Sequence, residues 1–151
     1  MRVITGTARG RVLRTLEGED VRPTTDRVKE AVFSIIQFEI EGRRVLDLFA
    51  GSGQLGIEAL SRGAASATFV DMSKDSLSTV KYNLEHTKLG DNAKVVQTDA
   101  LSFLKLTKDK FDIVFLDPPY ASSLVVDSMK LLSDVVAELR VFEIIFYGAQ
   151  G

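Results

Sequence analysis

From Arg44 onward, short apolar runs alternate with amphipathic stretches, which restricts the chain to βαβ units on a parallel sheet. Val45-Leu46-Asp47-Leu48-Phe49 reads as a buried strand, and the helix after it runs to Arg62 and stops at Gly63. Thr68-Phe69-Val70 is a second strand, ending in Asp71. Ser73 then caps a helix whose apolar side is Leu77, Val80 and Leu84. Lys94-Val95-Val96 is a third strand, and Asp99 to Leu106 a short helix. Phe111 to Leu116 is a fourth strand, apolar enough to lie inside the sheet. A helix over Leu124 to Leu132 and a strand within Val141 to Tyr147 complete the pattern.

The N-terminal part is different. Residues 2–4 and 11–14 form two short strands around the turn residues Gly6-Thr7-Ala8-Arg9-Gly10, which predicts a hairpin. Pro23-Thr24-Thr25-Asp26 announces a helix, with Thr25 as its N-cap and Val28, Ala31, Val32, Ile35 and Ile36 at helical spacing until Gly42. At 151 residues, 45% apolar and 26% charged, a single globular domain over 1–151 is expected. Residues 1–25 form its appendage and 26–151 its core.

Composition removes several chemistries. There is no cysteine, hence no disulfide, thiolate zinc site or thiolate nucleophile. The only histidine is His86, which excludes a multi-histidine metal centre; no metal is expected. No stretch approaches 18 apolar residues, and arginines interrupt the N-terminus where a signal peptide would be apolar. An intracellular, cytoplasmic protein without a membrane partner is expected. Net charge is −2, yet residues 1–16 carry Arg2, Arg9, Arg11 and Arg14 and no acid. A basic arm on an acidic domain fits either a nucleic-acid partner or a solvated hairpin.

Four clusters fall where strands end, which is where open parallel sheets bind ligands. Gly51, Gly53 and Gly56 follow the first strand at G-x-G-x-x-G spacing, so the backbone can turn sharply and approach a ligand. This suits a nicotinamide dinucleotide, a flavin or S-adenosylmethionine, and equally a tight strand-to-helix turn. Asp71 can accept both hydrogen bonds of a ribose diol, or simply open the next helix. Asp99 can accept from an adenine amino group, or cap a helix, and the two are compatible. Asp117-Pro118-Pro119-Tyr120 ends the fourth strand. Its prolines stiffen the backbone, a carboxylate and a carbonyl can grip both hydrogens of an exocyclic amino group, and Tyr120 offers a face for stacking a base.

At Asp47-Leu48-Phe49-Ala50-Gly51-Ser52-Gly53 and Asp117-Pro118-Pro119-Tyr120 the chain resembles the amino-methyltransferases that use S-adenosylmethionine. Arg22-Pro23-Thr24-Thr25-Asp26-Arg27-Val28-Lys29-Glu30-Ala31-Val32-Phe33, with the hairpin carrying Gly6, Arg9, Gly10 and Arg11, resembles the RsmD family. That resemblance covers about residues 1 to 127. It implies a Rossmann-like class I methyltransferase, an α/β fold with a mostly parallel sheet flanked by helices and an N-terminal β-hairpin. It also implies methylation of a guanine N2 amino group in 16S ribosomal RNA, within an assembling or assembled small subunit. The cofactor is S-adenosyl-L-methionine, the product S-adenosyl-L-homocysteine, and a monomer is expected.

By the same resemblance, Asp47, Phe49, Ala50, Gly51, Ser52 and Gly53 line the methionine end of the cofactor. Asp71 and Met72 flank its ribose, Asp99 and Ala100 its adenine, and Thr25 lies near it. Asp117, Pro118 and Tyr120 are catalytic, while Arg9, Arg11, Arg22 and Arg27 meet RNA. Two departures stand out: the family usually has Glu where this chain has Asp71, and Asp134 to Arg140 lacks its Gly-containing turn. The family's closing antiparallel pair is expected to be missing from a shortened C-terminus. Rival readings are an adenine-N6 methyltransferase, an NAD-dependent oxidoreductase and an RNA-binding module of methyltransferase fold. The oxidoreductase lacks a Tyr-x-x-x-Lys pair near the expected site.

Overall fold

Alternate side chains of the strands feed two separate cores, one on each face of a sheet. A computed structural model describes residues 1–16, 23–117, 123–136 and 143–146. Within them the order is α1 (Pro23–Ile36), β1 (Arg44–Leu48), α2 (Gln54–Ser61), β2 (Ser66–Asp71), α3 (Lys74–Thr87), β3 (Ala93–Gln97), α4 (Ala100–Leu106), β4 (Ile113–Leu116), α5 (Ser123–Leu132) and β5 (Glu143–Phe146). The sheet order is β3-β2-β1-β4-β5, and each neighbouring pair is parallel. This is the parallel α/β sheet that the alternation predicts, in the Rossmann-like form that the family resemblance implies.

Val45, Phe69, Ile113 and Phe115 point to the face covered by α1, α2, α3 and the N-terminal segment. Leu46, Leu48, Val70, Val114 and Leu116 point to the other, against Phe103 and Leu104 of α4 and Leu132 of α5. Leu77, Val80 and Leu84 are buried as expected.

Several boundaries and faces differ from expectation. Helix α1 starts at Pro23, whose fixed φ suits a first helical turn, so Thr25 lies inside that turn rather than capping it. It ends at Ile36, before Gly42. Its buried face is Lys29, Val32, Phe33 and Ile36, whereas Ala31 and Ile35 are exposed. Phe33 displaces Ile35 because it packs on Phe115, ring centroids 5.5 Å apart, and Lys29 is drawn inward by a buried carboxylate. Helix α2 begins at Gln54, because Gly53 takes the left-handed conformation (φ 83°) and turns the chain there.

The expected hairpin closes around the antiparallel Arg2–Val12 pair, with Val3 N–H donating to the Arg11 carbonyl and Gly10 N–H to the Val3 carbonyl at 2.9 Å, and Leu13 N–H to the Met1 carbonyl at 2.8 Å. The backbone N–H groups of Ile4 and Thr5 go instead to Glu58 of α2, at 2.8 and 3.0 Å. Glu58 also meets Lys29 Nζ at 3.2 Å and Arg62 Nε at 2.9 Å. Ser61 Oγ adds bonds to the Thr5 carbonyl and the Ala8 N–H. The hairpin is thus held both by its own backbone bonds and by α2. The expected fourth strand starts at Ile113; Phe111 makes only an isolated bridge to Val136.

Candidate active site

The strand order reverses between β1 and β4: β2 and β3 lie to one side of β1, β4 and β5 to the other. A crevice beyond the carboxyl ends of such strands is the usual ligand site. The sequence places Asp47 near the end of β1, Asp71 at the end of β2 and Asp117 just after β4. Register brings Asp47 opposite Phe115 and Phe69, so the three acids share one end of the sheet.

Asp47 alternates with Leu46 and Leu48 and therefore points to the α2 face, where it is 1% exposed. Its Oδ2 accepts the Gly56 N–H at 3.0 Å. Burial pushes its carboxyl well above the ordinary carboxylate range; the Gly56 N–H opposes this, and the negative charges of Asp117 and Asp71 add to it. A cation placed here would reverse that penalty.

The turn after β1 carries three left-handed residues: Phe49 (φ 65°), Gly51 (φ 59°) and Gly53 (φ 83°). Phe49 is strained there, as non-glycine residues at functional turns often are. A Cβ at Gly51 would meet none of the described residues within 4 Å, so its backbone borders the crevice. At Gly56 a Cβ would lie 2.4 Å from the Phe69 ring, so this glycine serves close packing of α2 on β2. Ala50 and Ser52 are buried, and the Ala50 N–H extends the sheet to the Val70 carbonyl at 2.9 Å.

Asp71 braces this turn. Its Oδ2 accepts the Gly51 N–H at 2.9 Å and its Oδ1 the Ser73 N–H at 2.8 Å. Each oxygen has a lone pair to spare. Met72 beside it is exposed. Asp99 caps α4 by accepting the Ser102 N–H at 3.0 Å, which holds its carboxyl below the ordinary range, and Ala100 is buried behind it. Arg9, Arg11 and Arg27 are exposed. Thr25 falls in the first turn of α1. Pro118, Pro119, Tyr120 and Arg22 lie outside the described residues.

Sequence reading missed Asn83, buried on α3, whose side chain binds the Ser52 carbonyl at 2.9 Å and both backbone groups of Arg14. Its signal was a polar residue three positions after Val80, on the apolar face. It missed Lys29 and Glu58 for the same reason. Among the described residues no helix is long and apolar enough to cross a membrane, and no cluster of three or more acidic or histidine side chains is placed to hold a metal ion.

A family model described as Conserved hypothetical protein 95 matches residues 1–142. The chain is 43% identical over 134 residues to Ribosomal RNA small subunit methyltransferase D of Escherichia coli, covering 89% of this chain and 67% of that protein. It is 42% identical over 137 residues to the protein of the same name in Haemophilus influenzae, covering 89% and 71%. The solved structure of Escherichia coli yhhF matches with a TM-score of 0.82 at 42% identity, covering 90% of this chain and 74% of that one. With this match along nearly its whole length, the chain belongs to the Conserved hypothetical protein 95 family, the RsmD family.

Proposed function

We propose that the chain transfers a methyl group from S-adenosylmethionine to the exocyclic N2 amino group of a guanine in 16S ribosomal RNA. The observation that carries this reading is the convergence of Asp47, Asp71 and Asp117 at the strand-order reversal, beside a glycine turn whose Gly51 borders the crevice. The names of the curated relatives support ribosomal RNA as the acceptor.

The residues present fit the cofactor. A buried carboxyl with two acidic neighbours favours a cationic ligand. Asp71 has spare lone pairs for a ribose diol, despite being one methylene shorter than Glu, and Asp99 has them for an adenine amino group. Among the described residues, buried Gln54 Oε1 at the start of α2 has no hydrogen-bond partner, so it can accept a ligand's donor. Phe49, Ala50, Ser52, Gly53, Met72, Ala100 and Thr25 complete the proposed lining.

When bound, S-adenosylmethionine supplies a methyl group made electrophilic by its sulfonium. Guanine N2 is a poor nucleophile because its lone pair is delocalised into the ring. The Asp117 carboxylate and the Pro118 carbonyl accept its two hydrogens, which localises that lone pair on nitrogen. Holding the reactants in place is worth up to about 7–11 kcal/mol. Tyr120 holds the unstacked base by its ring face. The methylated nitrogen then gives its extra proton to Asp117 or to water. Arg9, Arg11, Arg22 and Arg27 hold RNA phosphates.

The test is transfer of labelled methyl to unmodified small-subunit RNA, offered naked and as subunits, followed by identification of the labelled nucleoside. N2-methylguanosine is expected. N6-methyladenosine moves the target to adenine, and cofactor binding without transfer to any RNA overturns the enzymatic reading.

A further inference from the structure

Asn83 is 0% exposed, and its amide joins two segments far apart in sequence. Its Oδ1 accepts the Arg14 N–H at 2.8 Å, and its Nδ2 donates to the Arg14 and Ser52 carbonyls, both at 2.9 Å. Arg14 ends the arginine-bearing arm. Ser52 sits between Gly51 and Gly53, both at positive φ, so the Ser52 carbonyl direction reports the shape of the whole turn. One residue earlier on α3, the Tyr82 ring holds the Arg14 guanidinium 3.7 Å from its centroid, and His86 lies nearly parallel to that ring. Arg14 is therefore gripped by backbone and by side chain.

We propose that Asn83 is a positioning residue that couples the arm to the glycine turn, so that RNA on the arm and S-adenosylmethionine at the turn each tighten binding of the other. This rests on the reading of the arm as RNA-binding and the turn as cofactor-binding given above. The physical reason is that the amide has no slack. A shift of either segment strands a buried carbonyl or N–H, so the arrangement that satisfies one satisfies both. The coupling is reciprocal by thermodynamic necessity. The exposed Tyr82 stack transmits from the arm side alone, because Tyr82 makes no described bond to the turn.

S-adenosylhomocysteine, which binds without reacting, is titrated calorimetrically into the full chain, alone and with saturating small-subunit RNA. The wild-type affinity is expected to rise about fivefold or more with RNA, the low end of ordinary coupling. Asn83→Asp keeps the acceptor and loses both donations. It weakens binding about tenfold without RNA, and the gain from RNA disappears. Tyr82→Ala lies on the surface and folds. It keeps the wild-type affinity without RNA and loses most of the gain, so it decides the matter even if Asn83→Asp does not fold. Wild-type methylation of RNA with equal affinities in its presence and absence overturns the coupling and leaves the functional reading standing. A folded Asn83→Asp with wild-type affinity overturns the positioning of the turn. RNA that is neither bound nor methylated overturns the functional reading and the coupling with it, while the Asn83→Asp loss of affinity still reports on the turn.

Discussion

Replacing Lys29 with methionine keeps the aliphatic stem and removes the ammonium that faces Glu58. Both side chains are 0% exposed, and the Nζ–Oε1 distance is 3.2 Å. The ammonium also donates to the Arg2 carbonyl at 3.0 Å, so the substitution strands a buried carboxylate and weakens the seat of the arm. Breaking a buried pair by removing one partner costs about 3–5 kcal/mol. Glu58 keeps Arg62 Nε and the N–H groups of Ile4 and Thr5, which places the loss near the lower end, about 3 kcal/mol. Against a total stability of about 5–15 kcal/mol for such a domain, this is a large fraction. Urea unfolding reads it directly. With a slope of about 1–3 kcal/mol per molar, the midpoint falls by roughly 1–3 M. Lys29→Met with Glu58→Gln removes the stranded charge and recovers part of the loss. A fall below about 1 kcal/mol in the single variant, or no recovery in the double one, would refute the view that this pair locks the arm to α2.

Four further outcomes follow from the same geometry. Asp117→Ala should lower methyl transfer by about a thousandfold or more while S-adenosylhomocysteine affinity stays near wild type, as for a group that acts only on the reacting amine; near-normal turnover excludes that role. Arg9→Ala with Arg11→Ala should reduce the slope of log affinity for RNA against log salt by about two, and an unchanged slope makes the arm purely structural. Gly56→Ala drives a Cβ to 2.4 Å from the buried Phe69 ring, so it should cost about 1–3 kcal/mol in thermal unfolding despite the better helix propensity of alanine. The raised Asp47 carboxyl contributes stability that is full below the unfolded pKa and lost as pH rises through the folded one. Asp47→Asn, which still accepts the Gly56 N–H, should therefore flatten the fall in melting temperature of the free protein as pH rises above the ordinary carboxylate range, and parallel curves would contradict this.

The sheet and most helices were legible because strand-period and helix-period patterns follow burial directly, as in Val45 to Leu48 and in Leu77, Val80 and Leu84. The glycine turn was legible because Gly51 and Gly53 take left-handed positions without the strain that Phe49 bears there. What failed was any element whose partner is distant in sequence. The hairpin pattern could not reveal that the Ile4 and Thr5 N–H groups are taken by Glu58, more than fifty residues away. The apolar spacing of Val28, Ala31, Val32, Ile35 and Ile36 does not give the buried face of α1, because Lys29 enters the core beside a buried carboxylate, which no apolar pattern marks. Asn83 escaped notice for a related reason. A lone amide on an apolar helix face has no periodic signature, and its worth comes from Arg14 and Ser52, neither of them adjacent to it in the chain.

Stability alone gives no reason for the acids at the end of the sheet. Asp47 would fold more easily as asparagine, which accepts the same Gly56 N–H without a buried charge, and its carboxyl is penalised further by Asp71 and Asp117. Asp71 differs, since its carboxylate is partly repaid by the Gly51 and Ser73 N–H groups. A carboxyl whose burial outweighs its one N–H bond, beside a carboxylate that accepts two, at the point where the strand order reverses, is the arrangement expected when further compensation comes from a ligand. A ligand positive near Asp47 and rich in hydrogen-bond donors near Asp71 would supply it. S-adenosylmethionine carries both features, a sulfonium and an ammonium at one end and a ribose diol at the other. A reduced nicotinamide dinucleotide, whose ring is neutral, would satisfy Asp71 but leave Asp47 in place as a cost, whereas the oxidised ring is itself a cation. The acids therefore favour a ligand that is cationic at one end, a preference that the glycine spacing by itself does not carry.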